Sequence, residues 1–276
     1  MAPDQPETVS LYQQIDQESL SLDSSFTFHC HADLPCFNQC CRTPTIILSP
    51  YDLLRLKQGL GITSTELRER YTRQEIEPNS NLPMVFVDTC RSPEGGCPFL
   101  GAHGCTVYPH RPAACRLFPL TMGSRLTADG VEDHYYCRRL VYCRGFNGEV
   151  EWTVASWMAN QGFGEYDQGR REWLEILLKA GLTERLVVDA HIQDLFATLA
   201  YDLDKFRRLV FDPVFLEAYE AYDAYDKKAE AMEDLRTDDL ALLRFSYRFL
   251  PAVLSAAGAQ KMTAVIRRST KFFEIE

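Results

Sequence analysis

Cysteine is the residue type whose number and placement in this chain favour one particular chemistry. The sequence holds ten cysteines among 276 residues, and none lies beyond residue 143. Thiolate sulfur is a strong ligand for zinc, copper(I) and iron–sulfur clusters, so thiols gathered in one part of a chain predict metal binding. The ten are Cys30, Cys36, Cys40, Cys41, Cys90, Cys97, Cys105, Cys115, Cys137 and Cys143.

The first block of thiols runs from Cys30 to Cys41 and ends in an adjacent pair. Consecutive side chains point in opposite directions in extended backbone, so one ion is not expected to take both Cys40 and Cys41. One thiol of the pair then completes a site with cysteines of the second block. We expect eight ligands, enough for two four-thiolate sites: Cys30, Cys36, Cys40, Cys41, Cys97, Cys105, Cys115 and Cys143.

The spacing of the cysteines bears on which metal they hold. Zinc ribbons and knuckles usually carry C-x2-C pairs, and this sequence has none. A cluster of several irons is larger than one ion and tolerates ligands from scattered loops, so the pattern favours an iron–sulfur cluster, of the four-iron type, over zinc. Four thiolates leave about two negative charges on either centre, which Arg116 and Arg144 would offset from positions next to ligands.

Histidines near the thiols are alternative nitrogen ligands. A lone histidine on a loop is more often solvated or hydrogen-bonded than bound to metal, so we rank the thiols first. These histidines are His29, His31, His103, His110 and His134.

Charge and hydropathy argue against several classes of partner. The net charge of −10 argues against a nucleic-acid binder, because phosphate recognition requires a concentrated positive face. No apolar run reaches the roughly 18 residues of a membrane helix, and the first residues do not resemble a secretory signal. We therefore expect a cytoplasmic protein that does not bind membranes and whose thiols are reduced rather than paired in disulfides.

Local signals predict the elements that position the thiols. Ser49 and Pro50 form a helix start, as an N-cap followed by a proline in the first turn. Thr63 and Glu66 form a second helix start of the capping-box type. The predicted helices cover about 50–58 and 64–73, with a helical turn at 111–115. The predicted strands cover 45–48, 82–87 and 105–108, with a hairpin at 125–136.

The second half of the chain has a helical pattern after Gly148. Its predicted helices cover 150–160, 166–180, 184–210, 213–234 and 238–257. Three tryptophans are expected to anchor these helices onto the cysteine region: Trp152, Trp157 and Trp173. The sequence thus predicts an α+β fold, with a small irregular cysteine-rich metal-binding domain of short strands and helices over 1–148 and an all-helical domain over 149–276.

The cysteines and the residues between them resemble the YkgJ-like cysteine cluster family, described as zinc- or iron-chelating with a C-x2-C-x2-CC signature. The resemblance covers roughly residues 26–148, and the first block departs from the signature through its wider spacings. Cys90 and Cys137 have no counterpart in the family pattern. The motifs that carry it are Phe28-x-Cys30, Cys36, Cys40-Cys41, Ile47-x-Leu-Ser-x-x-Asp52-x-x-Arg55-Leu56, Cys97-Pro-Phe-Leu100, Gly104-Cys105-x-Val-Tyr108, Arg111-Pro112 and Cys115-Arg116-x-Phe-Pro119.

The resemblance implies metal chelation without fixing a reaction. Our first expectation is an iron–sulfur protein with a redox or electron-transfer role and a redox partner, which would make it an oxidoreductase if it is an enzyme. The alternative is a structural zinc protein whose helical part binds a protein partner. A third reading follows from flagellin lysine methylases, where a related cysteine cluster occurs, although the sequence lacks the usual glycine-rich nucleotide loop.

Overall fold

The computed structural model describes residues 15–42, 44–92, 95–182, 188–213 and 233–254. Its α-helices are Pro50–Leu60 (α1), Ser64–Tyr71 (α2), Ala113–Leu117 (α3), Val154–Asn160 (α4), Gly164–Leu182 (α5), Ala190–Tyr201 (α6), Leu203–Val210 (α7), Asp234–Thr237 (α8) and Asp239–Val253 (α9). Its strands are Ser25–Thr27 (β1), Ile47–Leu48 (β2), Thr72–Ile76 (β3), Pro83–Val87 (β4), Leu100–Gly101 (β5), Gly104–Cys105 (β6), Leu120–Thr127 (β7), Gly130–Cys137 (β8) and Glu151–Thr153 (β9). The predicted α+β class is confirmed.

The strands form small antiparallel sheets. β4 lies between β2 and β3, and the other pairs are β1 with β9, β5 with β6, and β7 with β8. The predicted strand at 82–87 and the hairpin at 125–136 are confirmed, although the hairpin is longer than predicted. The predicted strand at 105–108 ends at Cys105 instead, and the chain turns into a 3-10 helix at Tyr108–His110. The Thr106 amide still donates to the Phe99 carbonyl at 2.9 Å, and Pro109 then lies in the first turn of the 3-10 helix.

Capping residues fix the first two helices, as their sequences predict. The Ser49 hydroxyl accepts from the Asp52 amide while the Asp52 carboxylate accepts from the Ser49 amide, and this reciprocal capping box starts α1. The helix ends at Gly61 in the left-handed conformation, with φ 65°. At α2 the structure shows one half of the predicted capping box: the Thr63 hydroxyl accepts from the Glu66 amide, while the Glu66 carboxylate pairs with Arg70. The helix ends at Tyr71 rather than 73 because the chain continues directly into β3.

The predicted helices after Gly148 are partly correct. The segment 150–160 begins as a strand, because β9 pairs with β1, and becomes helical only at Val154. The segment 184–210 is interrupted at Asp202, whose carboxylate accepts from the Lys205 amide and so starts a new helix, α7. Most of the predicted helix at 213–234 lies outside the described residues.

One continuous hydrophobic core extends on both sides of residue 149. The Trp152 indole donates to the Phe28 carbonyl at 2.9 Å, and the Trp157 indole donates to the Leu117 carbonyl at 3.0 Å. These two tryptophans therefore join the helical part to the cysteine region, as expected. Trp173 instead packs among aromatic rings of the helical part. The domain boundary near 149 stays a prediction.

None of the helices within the described ranges is long and apolar enough to span a membrane.

Candidate metal centre

A 3-10 turn carries the adjacent cysteine pair. Gln39–Cys41 forms this turn after Asn38, which adopts the left-handed conformation with φ 65°. The Cys97 amide donates to the Cys41 carbonyl at 2.8 Å. This hydrogen bond places the first cysteine of the second block directly beside the last cysteine of the first block.

Gly96 makes that approach possible. Its φ is 89°, a conformation that disfavours other residues. A Cβ at this position would lie 2.7 Å from the Arg42 carbonyl oxygen and 2.9 Å from the Cys41 carbonyl oxygen. Only glycine therefore allows the two loops to lie against each other here.

A second contact between distant loops brings Cys36 to Cys143. The backbone amide of Arg144 donates to the Cys36 sulfur at 3.1 Å, across 108 residues of sequence. Next to Cys30, the His29 amide donates to the Gly145 carbonyl at 2.8 Å. The loop that precedes Cys36 and the loop that follows Cys143 are thus held together by backbone hydrogen bonds.

Helix α3 holds Cys115, and a buried carboxylate fixes its first turn. Asp52 is 2% exposed, and its Oδ1 accepts from the Ala113 amide at 2.7 Å. Its Oδ2 accepts from the amide and the hydroxyl of Ser49 at 2.8 and 2.7 Å. Burial raises the pKa of Asp52, and the hydrogen bonds from Ala113 and Ser49 oppose that shift. The carboxylate therefore ties the start of α1 to the short helix that carries Cys115.

Arg116 has a different role from the one its sequence position suggests. Its guanidinium donates to the carbonyl of Arg111 at 3.2 Å and to the carbonyl of Gln161 at 2.7 Å. It also lies over the Tyr166 ring, 4.3 Å from the centroid, and donates to the Tyr166 hydroxyl. Arg116 therefore fixes the loop before Cys115 onto α4 and α5, where backbone oxygens and an aromatic ring surround it.

Two other arginines are near enough to influence the thiols. Arg111 opposes the rise in the pKa of Cys105, which burial causes. Arg138 opposes the rise in the pKa of Cys40, which is caused first by the hydrogen bond between the Cys40 and Cys41 thiols and then by burial. Both were among the arginines near cysteines in the sequence, but Arg138 is far along the chain from Cys40, so sequence position alone did not indicate which thiol it influences.

The thiols divide into two groups, defined by the neighbours that raise the pKa of Cys97 and Cys115 on one side and of Cys30 and Cys143 on the other. We call Cys97, Cys105 and Cys115 the inner thiols. Burial raises the pKa of Cys97 to about 11, and nearby Cys105 and Cys40 add to the shift. Burial also raises the pKa of Cys115, followed by the effects of Cys97, Cys105 and Cys40 among others.

The second group consists of Cys30, Cys36 and Cys143, which we call the outer thiols. Burial raises the pKa of Cys30 to about 11, and Cys40, Cys143 and Cys36 add to the shift. The pKa of Cys143 is raised by burial and by Cys36 and Cys40. Cys40 therefore contributes to the raised pKa of thiols in both groups. Its sulfur lies 4.0 Å from the Cys41 sulfur.

The gathered thiols are not yet arranged as ligands. Within the part of the chain that the structure describes, no three Cys, His, Asp or Glu side chains are positioned to hold one metal ion. The donor set nevertheless fits a soft metal, because the neighbouring groups that raise the pKa of Cys30, Cys97 and Cys143 are other thiols. Metal binding therefore requires the cysteine side chains to move closer together, although the backbone already places their loops side by side.

The two cysteines that were not predicted as ligands lie elsewhere. Cys137 is 3% exposed at the end of β8, where it pairs with Leu120. Cys90 is exposed, and its amide donates to the Asp88 carboxylate. Neither thiol is among the main causes of the pKa shifts of Cys30, Cys40, Cys97, Cys105, Cys115 and Cys143.

Two of the histidines considered as ligands face carboxylates. His31 lies 3.6 Å from Asp33, and His134 lies 3.5 Å from Glu132. The thiols therefore remain the first choice of ligand.

Comparison with known proteins supports metal binding by this region. Residues 29–144, which include all eight predicted ligands, match the CxxCxxCC family model, whose description is "Putative zinc- or iron-chelating domain". The comparisons with curated proteins and with solved structures gave no match. The segment that gathers the thiols thus has the features of a zinc- or iron-chelating CxxCxxCC domain.

Proposed function

We propose that this protein binds an iron–sulfur cluster through its gathered thiols and that it transfers electrons to or from a protein partner. The observation that carries the proposal is the meeting of cysteine-bearing loops far apart in sequence, since the Cys97 amide donates to the Cys41 carbonyl at 2.8 Å and the Arg144 amide donates to the Cys36 sulfur at 3.1 Å. A bound cluster would supply reversible one-electron chemistry. The ten thiols are all free, which fits a reducing compartment such as the cytoplasm.

The chain's own residues provide a protected site for such a group. Cys97 is buried, and α3 with its Asp52 and Arg116 contacts holds Cys115 against the core. Burial limits the access of water to Cys97, while Arg111 and Arg138 supply positive charge near Cys105 and Cys40. These two features would stabilise the negative charge of a thiolate-bound centre.

The proposed partner is an acidic redox protein that docks beside the outer thiols. Arg42, Arg138 and Arg144 form what we call the arginine rim, and within the described ranges none of them makes an ion pair. Beside the rim, Val141 is 82% exposed and Tyr142 is 38% exposed. Unpaired positive charge around exposed apolar side chains, on a chain with net charge −10, suits a partner with an acidic docking face.

Anaerobic purification tests the proposal directly. Brown protein with stoichiometric iron and acid-labile sulfide, and a charge-transfer absorption that bleaches on reduction, is the expected result. Cys115→Ser should lower iron content severalfold, whereas the control Cys90→Ser should leave it unchanged because Cys90 lies outside the thiol cluster. A colourless protein that carries zinc alone and takes up no iron on reconstitution would overturn it.

A structural zinc site is the second candidate. The loops between Cys30 and Cys41 contain no regular element longer than the 3-10 turn Gln39–Cys41. Closed four-thiolate zinc sites commonly stabilise loops of this kind, and the helical part would then bind a protein partner. Zinc with no iron, together with a large loss of thermal stability on chelation, would favour this candidate over the first.

A further inference from the structure

We propose that a cleft between α2, α7 and the sheet of β3 and β4 binds a small soluble organic molecule through a phosphate monoester group. The cleft has a volume of about 340 Å³, which lies at the lower end of the range for small-molecule pockets. None of the proposed metal ligands lines it. This inference therefore does not depend on the proposed metal binding.

One face of the sheet forms the floor of the cleft. Gln74 and Val85 are paired across β3 and β4, and Thr72 lies two residues before Gln74 on β3. Paired residues, and residues two apart on one strand, lie on the same face of a sheet, so all three line the cleft. Val85 is 1% exposed and Gln74 is exposed. The floor thus offers apolar contact for a carbon skeleton and an amide for hydrogen bonding.

Two helices form the walls and supply three basic side chains. α2 leads directly into β3 and contributes Arg68. α7 contributes Lys205 and Arg208, which are three residues apart and therefore neighbours on one face of the helix. The chain as a whole has a net charge of −10 and repels anions. Three cations around one small cleft therefore favour an anionic ligand at this place in particular.

The two acidic side chains of the cleft differ in their effect on an anion. Asp202 is 2% exposed, and its carboxylate accepts from the Thr65 hydroxyl and the Lys205 amide. It also pairs with Arg68 at 3.4 Å. The charge of Asp202 is therefore compensated within the protein. Glu69 is exposed to solvent at the cleft, and its carboxylate would repel an anion.

Arg208 is the basic side chain most available to a ligand. It is exposed, and within the part of the chain that the structure describes it makes no ion pair. Arg68 donates to the side-chain oxygen of Gln74 at 3.2 Å and keeps further N–H groups, since a guanidinium carries five.

The chemistry of these cations suits phosphate. The planar fork of an arginine binds two oxygens of one phosphate group together. A phosphate monoester carries close to two negative charges at neutral pH, whereas a monocarboxylate carries one. A dianion gains more from three cations, so we expect the cleft to prefer a phosphate monoester over a monocarboxylate.

Calorimetric titration of the full-length protein with glycerol phosphate, at fixed ionic strength, tests the proposal. We expect one saturable site and much weaker binding of acetate. Arg208→Gln should weaken the binding of glycerol phosphate about tenfold, because a charged hydrogen-bond donor is lost. Lys205→Gln is a second variant that should also weaken binding. Glu69→Gln should strengthen binding severalfold, because it removes a like charge.

Arg125→Gln is the matched control. Arg125 is an exposed residue of β7 that pairs with Glu132 and does not line the cleft. Its replacement changes the net charge as much as Arg208→Gln does, and it should leave the affinity for glycerol phosphate unchanged. Circular dichroism of each variant shows that a loss of binding does not come from unfolding.

Several results would overturn the proposal. One is the absence of saturable binding of both glycerol phosphate and inorganic phosphate. Equal weakening by Arg208→Gln and Arg125→Gln would show a response to general charge rather than a site. Tighter binding of succinate than of glycerol phosphate would rule out the preference for phosphate. Sedimentation with vesicles of phosphatidic acid in phosphatidylcholine, without competition by glycerol phosphate, would assign the cleft to a lipid headgroup instead of a soluble ligand.

Discussion

The Asp52 carboxylate accepts a hydrogen bond from the Ala113 amide at 2.7 Å, although 61 residues separate them in sequence. This bond joins the first turn of α1 to the first turn of α3, two residues before Cys115. The position of an inner thiol thus depends on a side chain that belongs to another helix.

Replacing Asp52 should weaken both the fold and the metal site. Asp52→Ala leaves the Ala113 amide and the Ser49 amide without their buried acceptor, which costs about 1 to 3 kcal/mol for each unsatisfied group. We expect a lower free energy of unfolding in urea and a severalfold lower metal content. Asp33→Ala removes an exposed carboxylate and serves as control, and equal effects of the two changes would contradict the proposed role of Asp52.

Arg116→Lys separates a positioning role from a charge role. Lysine keeps the positive charge but lacks the planar group that reaches the carbonyls of Arg111 and Gln161 together. We expect a loss of about 2 kcal/mol in stability, measured by chemical denaturation, because buried acceptors lose charged donors. Unchanged stability and metal content in Arg116→Lys would show that only the charge matters.

Two adjacent glycines provide a matched pair for the contact between the cysteine blocks. Gly95 and Gly96 both have positive φ, 72° and 89°, but a Cβ at Gly95 would have nothing within 4 Å. Gly95→Ala should cost about 1 to 2 kcal/mol from backbone strain alone. Gly96→Ala adds a clash with the Arg42 carbonyl and should also lower metal content.

Metal analysis and thermal melting of both glycine variants check this expectation. If Gly95→Ala lowers the metal content as much as Gly96→Ala, the close approach at Gly96 is not what holds the two blocks together.

Stability of the metal-free protein should depend on Asp204 in a defined pH range. Burial alone would raise the pKa of Asp204, but hydrogen bonds from Ser64 and the Lys57 ammonium outweigh it and lower the pKa. A lowered pKa contributes stability that is present above the ordinary value of 3.8 and is lost as the pH falls below it. Asp204→Asn should therefore be less stable than the unmodified chain at pH 6.

Urea denaturation of the metal-free forms across acidic pH measures this difference. The gap between Asp204→Asn and the unmodified chain should narrow as the pH falls through the titration of Asp204. A gap that stays constant from pH 6 to pH 2 would show that the carboxylate charge is not responsible.

Local sequence signals predicted the parts of the fold that depend on neighbouring residues. Ser49 with Asp52 and Thr63 with Glu66 cap helices within four residues, so their patterns are readable from the sequence. Metal binding by the cysteine region was likewise readable, because cysteines in this number point to metal whatever their exact geometry, while the identity of the individual ligands stays a prediction. The eight predicted ligands and the matched family region agree in extent.

Long-range contacts were beyond such signals. Arg116 was expected to offset metal charge because it follows Cys115, but its partners Gln161 and Tyr166 lie on another part of the chain. The pairing of β1 with β9 replaced the start of a predicted helix for the same reason, since Glu151–Thr153 has no local signal that its partner is Ser25–Thr27. The position of Cys40 between the two thiol groups also depends on loops that meet only in three dimensions.

The pairing of β1 with β9 has a consequence for metal affinity. The two strands lie just before Cys30 and just after Cys143, so they hold together the ends of the segment that contains every proposed ligand. Bringing such distant ends together costs conformational entropy that grows with the length of the loop. Folding of the core has already closed this loop, so metal binding does not add this loss of conformational entropy. The metal affinity therefore depends more on the metal–ligand bonds than on ordering of the chain.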